Sequence, residues 1–205
     1  MRYFIIETIG DVQDRKLAFI DNPPEGLGLY YYCMARGERI GARFPTDAKV
    51  FLESRSPGIK LPSLIGNALG YLIVNTEMKS VINECCKLEV ETLPFTLYNH
   101  KKRIHSKDYW IVNPIGSIDC LNKAASEIIY ATSSREAVVA VHKFVVDPSK
   151  ISGEPNLFRV PEDREKYFIG ESLAKTFQQH NFTNVFLLEV DVKEAALSDR
   201  TLGHL

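Results

Sequence analysis

The sequence lacks an excess of either charge, since 25 Lys and Arg side chains oppose 26 Asp and Glu side chains to give a net charge of −1. A dedicated nucleic-acid-binding protein usually carries a basic excess, so this balance argues against that class. The sequence also lacks any apolar run approaching the roughly 20 residues that span a bilayer. Its first apolar run, Tyr3–Ile6, ends at Glu7 and predicts a β-strand rather than a signal peptide.

Cysteine is scarce, and its spacing argues against two common uses. The chain has four cysteines, which are Cys33, Cys85, Cys86 and Cys120. They form no C-x-x-C pair, which argues against a zinc knuckle. Adjacent cysteines have poor geometry for an ordinary disulfide, so we expect free and mostly buried thiols. Thiols of this kind are typical of the cytosol, and we therefore expect a cytoplasmic protein.

Catalytic and cofactor-binding motifs are also missing. The nucleophile elbow G-x-S-x-G does not occur, and no glycine-rich turn is followed by Lys-Ser or Lys-Thr, as phosphate-binding loops require. His100 and His105 are five residues apart, which is not the i, i+4 spacing of a helical metal pair. Cys86 has no neighbour that marks it as an activated thiol. We therefore expect no enzyme activity, no cofactor and no metal site.

The clearest structural signal is a β-α-β pattern in residues 72–97. The continuous apolar run Leu72–Val74 predicts a buried strand, and Asn75 is a suitable N-cap for the helix that follows. One buried helix face is predicted by apolar residues at i, i+3, i+4 and i+7, namely Met78, Val81, Ile82 and Cys85. A second strand over Val90–Leu97 is predicted to form a hairpin with residues 108–112.

The same pattern returns 95 residues later, over residues 167–192. Nine apolar positions coincide, either through an internal duplication or because any two β-α-β units look alike. Two such units with hairpins predict an α+β fold with a mixed sheet and few helices. We expect a single domain over residues 1–205, with a loop-rich N-terminal part at 1–60 and a core at 61–192. The predicted core residues are Ile73, Val74, Met78, Ile82, Leu93, Ile111, Phe158, Ile169, Leu173, Phe177, Leu188 and Val190.

Charged residues cluster at two places suited to contacting a partner. Segment 99–108 carries four basic side chains against one acidic side chain, and segment 184–199 carries four acidic side chains against one lysine. Basic residues among aromatics can bind single-stranded nucleic acid, whereas acidic groups suit a basic protein partner. The near-neutral chain favours the second interpretation. The predicted partner-binding residues are Glu162, Asp163, Glu165, Glu189 and Asp191.

Several segments, in this order along the chain, resemble one known family. They are Leu72–Met78, Glu91–Phe95, Tyr109–Leu121, Val146–Arg159 and Tyr167–Phe177. The first resembles an apolar triplet followed by a helix cap. The fourth, which begins Val-Asp-Pro-Ser-Lys-Ile, resembles the most characteristic stretch of the family. Over about residues 60–190 the chain is similar to the bacterial polymorphic-toxin immunity protein family eleven.

The resemblance implies a cytosolic antidote that binds and neutralises a cognate toxin delivered by a neighbouring cell in contact-dependent competition. Toxins near this family are often nucleases, which would be basic and would match an acidic face. The family supplies no catalytic residues. The residues themselves leave two alternatives open. One is a small cytosolic α/β enzyme with an unrecognised site near Cys86 or His105, and the other is a nucleic-acid-binding module that uses the basic segment 99–108.

Overall fold

The computed structural model describes residues 1–195, apart from the side chain of Arg135. Within these residues the chain forms thirteen β-strands, two α-helices and three 3₁₀ helices. The strands are β1 Tyr3–Glu7, β2 Phe19–Ile20, β3 Lys49–Phe51, β4 Gly66–Asn67, β5 Leu72–Asn75, β6 Val90–Tyr98, β7 Ile104–Pro114, β8 Glu127–Ala131, β9 Ser134–Lys143, β10 Val145–Val146, β11 Leu157–Val160, β12 Asp163–Gly170 and β13 Phe186–Val192. The α-helices are α1 Thr76–Cys85 and α2 Glu171–Gln179, and the 3₁₀ helices are Gly28–Ala35, Gly41–Arg43 and Pro148–Lys150.

The two larger sheets share one arrangement. In the four-stranded sheet, with order β3-β6-β7-β5, the parallel strands β5 and β6 lie on either side of the antiparallel strand β7. In the five-stranded sheet, with order β10-β13-β1-β12-β11, strands β12 and β13 flank β1 in the same way. Each unit is therefore a β-α-β motif whose strands are separated by one strand of opposite direction. The predicted α+β class with few helices is confirmed, with two mixed sheets rather than one.

The two units also correspond along the chain. Helices α1 and α2 begin 95 residues apart, and β12 ends 95 residues after β5. A short parallel strand lies outside each unit, since β3 pairs with β6 and β10 pairs with β13. The 95-residue spacing of apolar positions in the sequence therefore joins structurally equivalent elements.

Local sequence explains where α1 begins, and both helices have a favourable charge in the first turn. The Asn75 side chain accepts a hydrogen bond from Met78 N at 2.9 Å, which satisfies one free amide in the first turn of α1, as predicted. Gly170, at the equivalent position of α2, has no side chain for this role. Glu77 and Glu171 each place a carboxylate in a first turn, where the helix dipole favours negative charge. No helix in residues 1–195 is long and apolar enough to cross a membrane.

Three apolar clusters alternate with the two large sheets. Successive side chains of a strand point to opposite faces, so Ile73 packs on one face of the four-stranded sheet and Leu72 and Val74 pack on the other. The second face meets α1, α2 and the five-stranded sheet in a central cluster, where Tyr167 Oη accepts a hydrogen bond from Leu72 N at 3.1 Å. Apolar side chains from residues 118–151 cover the outer face of the five-stranded sheet.

Eleven of the twelve predicted core residues are buried. Leu188 is the exception and the prediction is wrong there, because this residue is 54% exposed. Leu188 shares a face of β13 with Val190, which packs in the cluster around Phe168, but the covering side chains stop short of Leu188. Alternation therefore identifies the face of a strand without revealing how far its cover extends.

The N-terminal third packs on the four-stranded sheet through polar as well as apolar contacts. Its regular structure is limited to short strands and 3₁₀ helices, in line with the loop-rich prediction. The buried Glu91 carboxylate accepts hydrogen bonds from the backbone amides of Ile40 and Gly41, at 3.1 and 2.8 Å. Asn113 Nδ2 donates to Glu38 O at 2.9 Å. Polar side chains of β6 and β7 therefore hold the loops of this region in place.

The buried Arg159 joins the N-terminal third to the five-stranded sheet. Its guanidinium donates to three distant backbone carbonyls, those of Met34 at 2.9 Å, Ala35 at 2.6 Å and Pro114 at 3.3 Å. The same group donates to the carbonyl of Arg164, and its Cζ lies 4.0 Å from the centroid of the Tyr167 ring. A buried charge is costly unless its donors are satisfied, and here carbonyl oxygens provide the acceptors.

Strands β8 and β9 form a separate two-stranded hairpin, residues 127–143. The two strands pair with each other in an irregular register and pack little against the other elements. Several of its apolar side chains are exposed, namely Ile129 at 43%, Tyr130 at 39% and Val139 at 67%. The hairpin therefore presents apolar surface that the described part of the chain does not cover.

Candidate functional site

The turn between β11 and β12 carries three of the predicted partner-binding residues. Asp163 Oδ1 accepts a hydrogen bond from Glu165 N at 3.1 Å, so an acidic side chain closes the turn itself. Glu165 is exposed, whereas only 4% of the Glu162 side chain is accessible. The structure therefore brings Glu162, Asp163 and Glu165 together and gives each a different environment. We call residues 161–165 the acidic turn.

The two carboxylate oxygens of Glu162 have unequal partners. Oε1 lies 3.0 Å from Lys123 Nζ. Oε2 is buried and has no hydrogen-bond partner among the described residues. In residues 1–195 the one other buried side-chain atom in this condition is Asn113 Oδ1. An unpaired buried acceptor costs about 1–3 kcal/mol, and more when the group is charged, because it loses its water without replacement.

A cleft of about 570 Å³ opens between the acidic turn and the hairpin. All five residues of the turn line it, together with Val139–Val141 of β9 and with Arg36 and Glu38 from the N-terminal third. A second cleft, of about 370 Å³, also includes Glu162, and half of its lining residues belong to the hairpin, namely Tyr130, Glu136 and Val138. Glu162 therefore lines both clefts, at the place where the hairpin meets the body of the protein.

The larger cleft is acidic. Its lining includes four carboxylates and two guanidinium groups, which gives a net charge of −2. Arg36 Nε approaches Glu165 Oε1 at 3.9 Å, and an exposed contact of this length contributes little in water. Burial raises the pKa of Asp163, and the backbone hydrogen bond from Glu165 opposes that shift. The surplus of carboxylates makes the cleft suited to a cationic group.

Glu189 and Asp191, the other two predicted residues, lie on β13 outside the two clefts. Both side chains are exposed and point to the same face of the strand. Asp191 Oδ2 lies 2.9 Å from Lys143 Nζ, the last residue of β9, so Asp191 borders the base of the hairpin. Asp199, which contributes to the negative charge of segment 184–199, lies outside the described residues.

The sequence pattern did not identify the hairpin as part of this site. Residues 119–132 have no clear periodicity, so β8 and its exposed side chains Ile129 and Tyr130 leave no recognisable signal. Lys123 and Glu38 are also far from the acidic turn in sequence. Only the fold places these residues beside Glu162.

A third cleft, of about 400 Å³, opens between residues 9–19 and 53–57. Its carboxylates are used locally, because Asp11 and Asp14 each accept a hydrogen bond from the backbone amide two residues later, at 2.9 and 3.0 Å. Such bonds complete the loop itself. Among the described residues that line this cleft, no buried polar side-chain atom lacks a partner. The acidic turn is therefore the stronger candidate for binding.

The basic segment 99–108 forms a closely hydrogen-bonded turn. The Asn99 side chain accepts hydrogen bonds from two backbone amides of the turn, at 2.9 and 3.1 Å. His100 Nε2 and His105 Nε2 each donate to a backbone carbonyl of the N-terminal third, at 3.1 and 2.8 Å. Both imidazoles therefore hold the turn against its neighbours.

Cys86 lacks the surroundings of a nucleophile. Its thiol contacts the carbonyl oxygens of Leu88 and Leu157, both at 3.7 Å, and burial raises its pKa. A raised pKa lowers the fraction of reactive thiolate at neutral pH. Across residues 1–195, no group of three or more His, Cys, Asp or Glu side chains is arranged to hold a metal ion.

Comparison of the sequence with protein-family models gives a match over most of the chain. The sequence matches a protein-family model described as Immunity protein family (Imm11), over residues 11–192. The chain belongs to the Imm11 immunity protein family. In this Imm11 protein the match includes the hairpin and the acidic turn, and it begins well before residue 60, so it also takes in most of the N-terminal third. No curated protein matches the sequence.

The motifs that resemble the family have structural roles in this Imm11 protein. Glu91 and Arg159 both hold the N-terminal third, through the contacts described above. Asp147 is fully buried, and its Oδ1 accepts a hydrogen bond from Ser149 N at 3.0 Å, which caps a 3₁₀ helix. These side chains stabilise the fold.

Proposed function

We propose that this Imm11 protein binds its cognate toxin directly and neutralises it by covering a functional surface, without catalysing a reaction. The chain belongs to a family of immunity proteins, and inhibition by contact requires a complementary surface rather than a reactive site. The proposed partner is a toxin of a polymorphic-toxin system used in contact-dependent competition. The proposed place of action is the cytoplasm.

The acidic cleft is the proposed centre of the contact. The observation that carries this proposal is Glu162, whose side chain is buried while Oε2 has no partner. A side chain of the toxin that donates to this oxygen would remove the cost of leaving it unpaired. Groups that pair in a desolvated pocket near the middle of an interface dominate binding energies.

A basic surface on the toxin fits the charges around this centre. The lining of the larger cleft has a net charge of −2, and Glu189 and Asp191 add negative charge beside the base of the hairpin. Complementary potentials speed the encounter of two proteins and disfavour wrong partners. We propose a nuclease as the toxin class, because proteins that bind the phosphate backbone carry clustered Lys and Arg residues.

The hairpin supplies the apolar part of the proposed contact. Ile129, Tyr130 and Val139 are exposed beside the clefts, and Val139 and Tyr130 line one cleft each. Protein interfaces commonly combine an apolar, aromatic centre with a polar rim. The hairpin and the acidic turn together offer both kinds of surface within one continuous area.

Co-expression with the toxin domain encoded beside the gene tests this proposal. We expect the wild-type protein to restore growth and to co-purify with the toxin. The triple variant E162Q/D163N/E165Q should lose both properties. A matched control, E25Q/D47N/E84Q, removes the same charge from exposed positions elsewhere and should behave as the wild type. Growth rescue without a detectable complex would contradict the proposal and indicate an enzymatic antidote.

A further inference from the structure

We infer that Glu162 is the receptor for one arginine side chain of the toxin, which binds the carboxylate after the hairpin moves outward. This inference rests on the proposed function, because it names the group that the acidic cleft recognises. Its starting point is the unpaired Oε2 in a cleft with surplus negative charge. A cation bound there would pair the oxygen and balance part of that charge at once.

The chemistry of the cleft favours arginine over lysine. Oε1 of Glu162 is already engaged by the ammonium group of Lys123, at 3.0 Å. Besides Oε2, the cleft is lined by the carboxylates of Asp163 and Glu165, each of which has a contact at one oxygen, so the cleft suits a group with several donors. A guanidinium carries five N–H donors in a plane and is more weakly hydrated than an ammonium ion, so it loses less when it leaves water.

A ligand can reach Oε2 only after a neighbouring part of the structure moves. This oxygen is inaccessible to solvent, and Glu162 shares both of its clefts with hairpin residues. The hairpin packs little against other elements, so displacing it breaks few contacts. Its base stays anchored, because Val145 and Val146 are buried and pair with β13. Outward movement of residues 127–143 would widen both clefts beside Glu162, and we assign the exposure of the carboxylate to this movement.

A small probe tests the site without the toxin. The protein is labelled at the glutamate side-chain carboxyl carbons, and E162Q identifies the Glu162 resonance. Titration with N-acetylarginine amide should shift this resonance saturably at millimolar concentrations. N-acetyl-lysine amide should shift it less, and the uncharged N-acetylcitrulline amide should not shift it. The inference is overturned if arginine amide leaves the resonance in place or if citrulline amide shifts it equally.

Binding of the toxin domain provides the second test. Relative to E84Q, a control at an exposed position on α1, the E162Q variant should bind the toxin at least tenfold more weakly. Equal affinities of E162Q and E84Q would overturn the inference while leaving the proposed function intact. If the wild-type protein does not bind the toxin, the proposed function fails, and the arginine amide titration alone judges the site.

Replacing each arginine of the toxin by alanine, one at a time, keeps the inference testable if E162Q does not fold. One such replacement should weaken binding to the wild-type protein at least tenfold. Where E162Q folds, the same toxin variant should show little further loss with it, because the two groups form one contact. If no single toxin arginine matters for the wild-type protein, the inference is overturned.

Discussion

Lys123 and Glu162 form an incomplete ion pair, in which Nζ lies 3.0 Å from Oε1 while Oε2 has no partner. Lys123 also lies 3.5 Å from Asp119 Oδ1, so one ammonium group serves two carboxylates. Partial burial lowers the pKa of Lys123, but the hydrogen bonds and charges of Glu162 and Asp119 outweigh this effect and raise it. The negative charge near the acidic turn is therefore only partly neutralised by the protein itself.

The acidic pair on β13 should act in association rather than in folding. We expect E189Q/D191N to slow association with the toxin and to weaken its dependence on salt, because exposed charges at the rim of an interface steer encounter. Stability should change little, since the ion pair of Asp191 with Lys143 is exposed. Association rates of the variant and the wild type, measured at two salt concentrations, check this.

An unchanged rate for E189Q/D191N would contradict that prediction. If neutralising Lys101, Lys102 and Arg103 abolished binding at the same time, the interface would lie at the basic segment 99–108 instead.

Arg159 should be one of the most sensitive positions for stability. Replacing it by alanine leaves three buried carbonyls without their donors and removes the contact with Tyr167, so R159A should lower the free energy of unfolding by about 3 kcal/mol or more. Arg103 is exposed, and R103A should change the free energy of unfolding by less than about 0.5 kcal/mol. Urea unfolding of both variants gives the comparison. Equal stabilities would show that these hydrogen bonds do not hold the two parts together.

Truncation of core side chains should distinguish buried from exposed members of the apolar pattern. I82A or F177A should lower the free energy of unfolding by about 2–5 kcal/mol, because both residues are buried. L188A should cost less than about 1 kcal/mol, since Leu188 is exposed. Thermal or urea unfolding measures all three. A large loss for L188A would mean that this face of β13 is covered in solution.

Asp147 should make the free energy of unfolding depend on pH in the acidic range. Burial tends to raise its pKa, but hydrogen bonds from the Ser149 side chain and from backbone amides outweigh this and lower it below the ordinary value of 3.8. A group with a lowered pKa in the folded state stabilises the protein above its unfolded pKa, and this contribution is lost as the pH falls through the folded pKa.

The variant D147N isolates this effect. It should lower stability at pH 7 and flatten the decline of stability at acidic pH, compared with the wild type. Urea unfolding, measured at pH 7 and at several acidic pH values, gives both the stability at pH 7 and its decline with falling pH. Parallel pH profiles for the two proteins would contradict the assignment.

The fold was predictable where one short-range pattern dominates. Asn75 identifies the start of α1, and the apolar period of residues 78–85 identifies its buried face, because both depend only on neighbouring residues. The match between segments 72–97 and 167–192 likewise reflects local strand and helix patterns. The prediction that Leu188 is buried was wrong because burial depends on what covers a strand, and the covering residues come from a distant segment.

The candidate site was predictable only in part, for the same reason. Composition and clustering identify the acidic residues near Glu162, but an acidic cluster in a sequence does not show which carboxylate is buried. The cleft requires the hairpin, Lys123 and Glu38, which come together only through tertiary packing. The unpaired Oε2 is a property of that packing and has no counterpart in the sequence.

Hydrogen–deuterium exchange with and without the toxin domain tests the central claim most directly, namely that the toxin binds at the acidic turn and the hairpin. We predict that binding slows exchange in peptides covering residues 127–143 and 161–165, while residues 99–108 exchange as in the free protein. Protection confined to residues 99–108, or a stable complex with no change at the acidic turn and the hairpin, would contradict it.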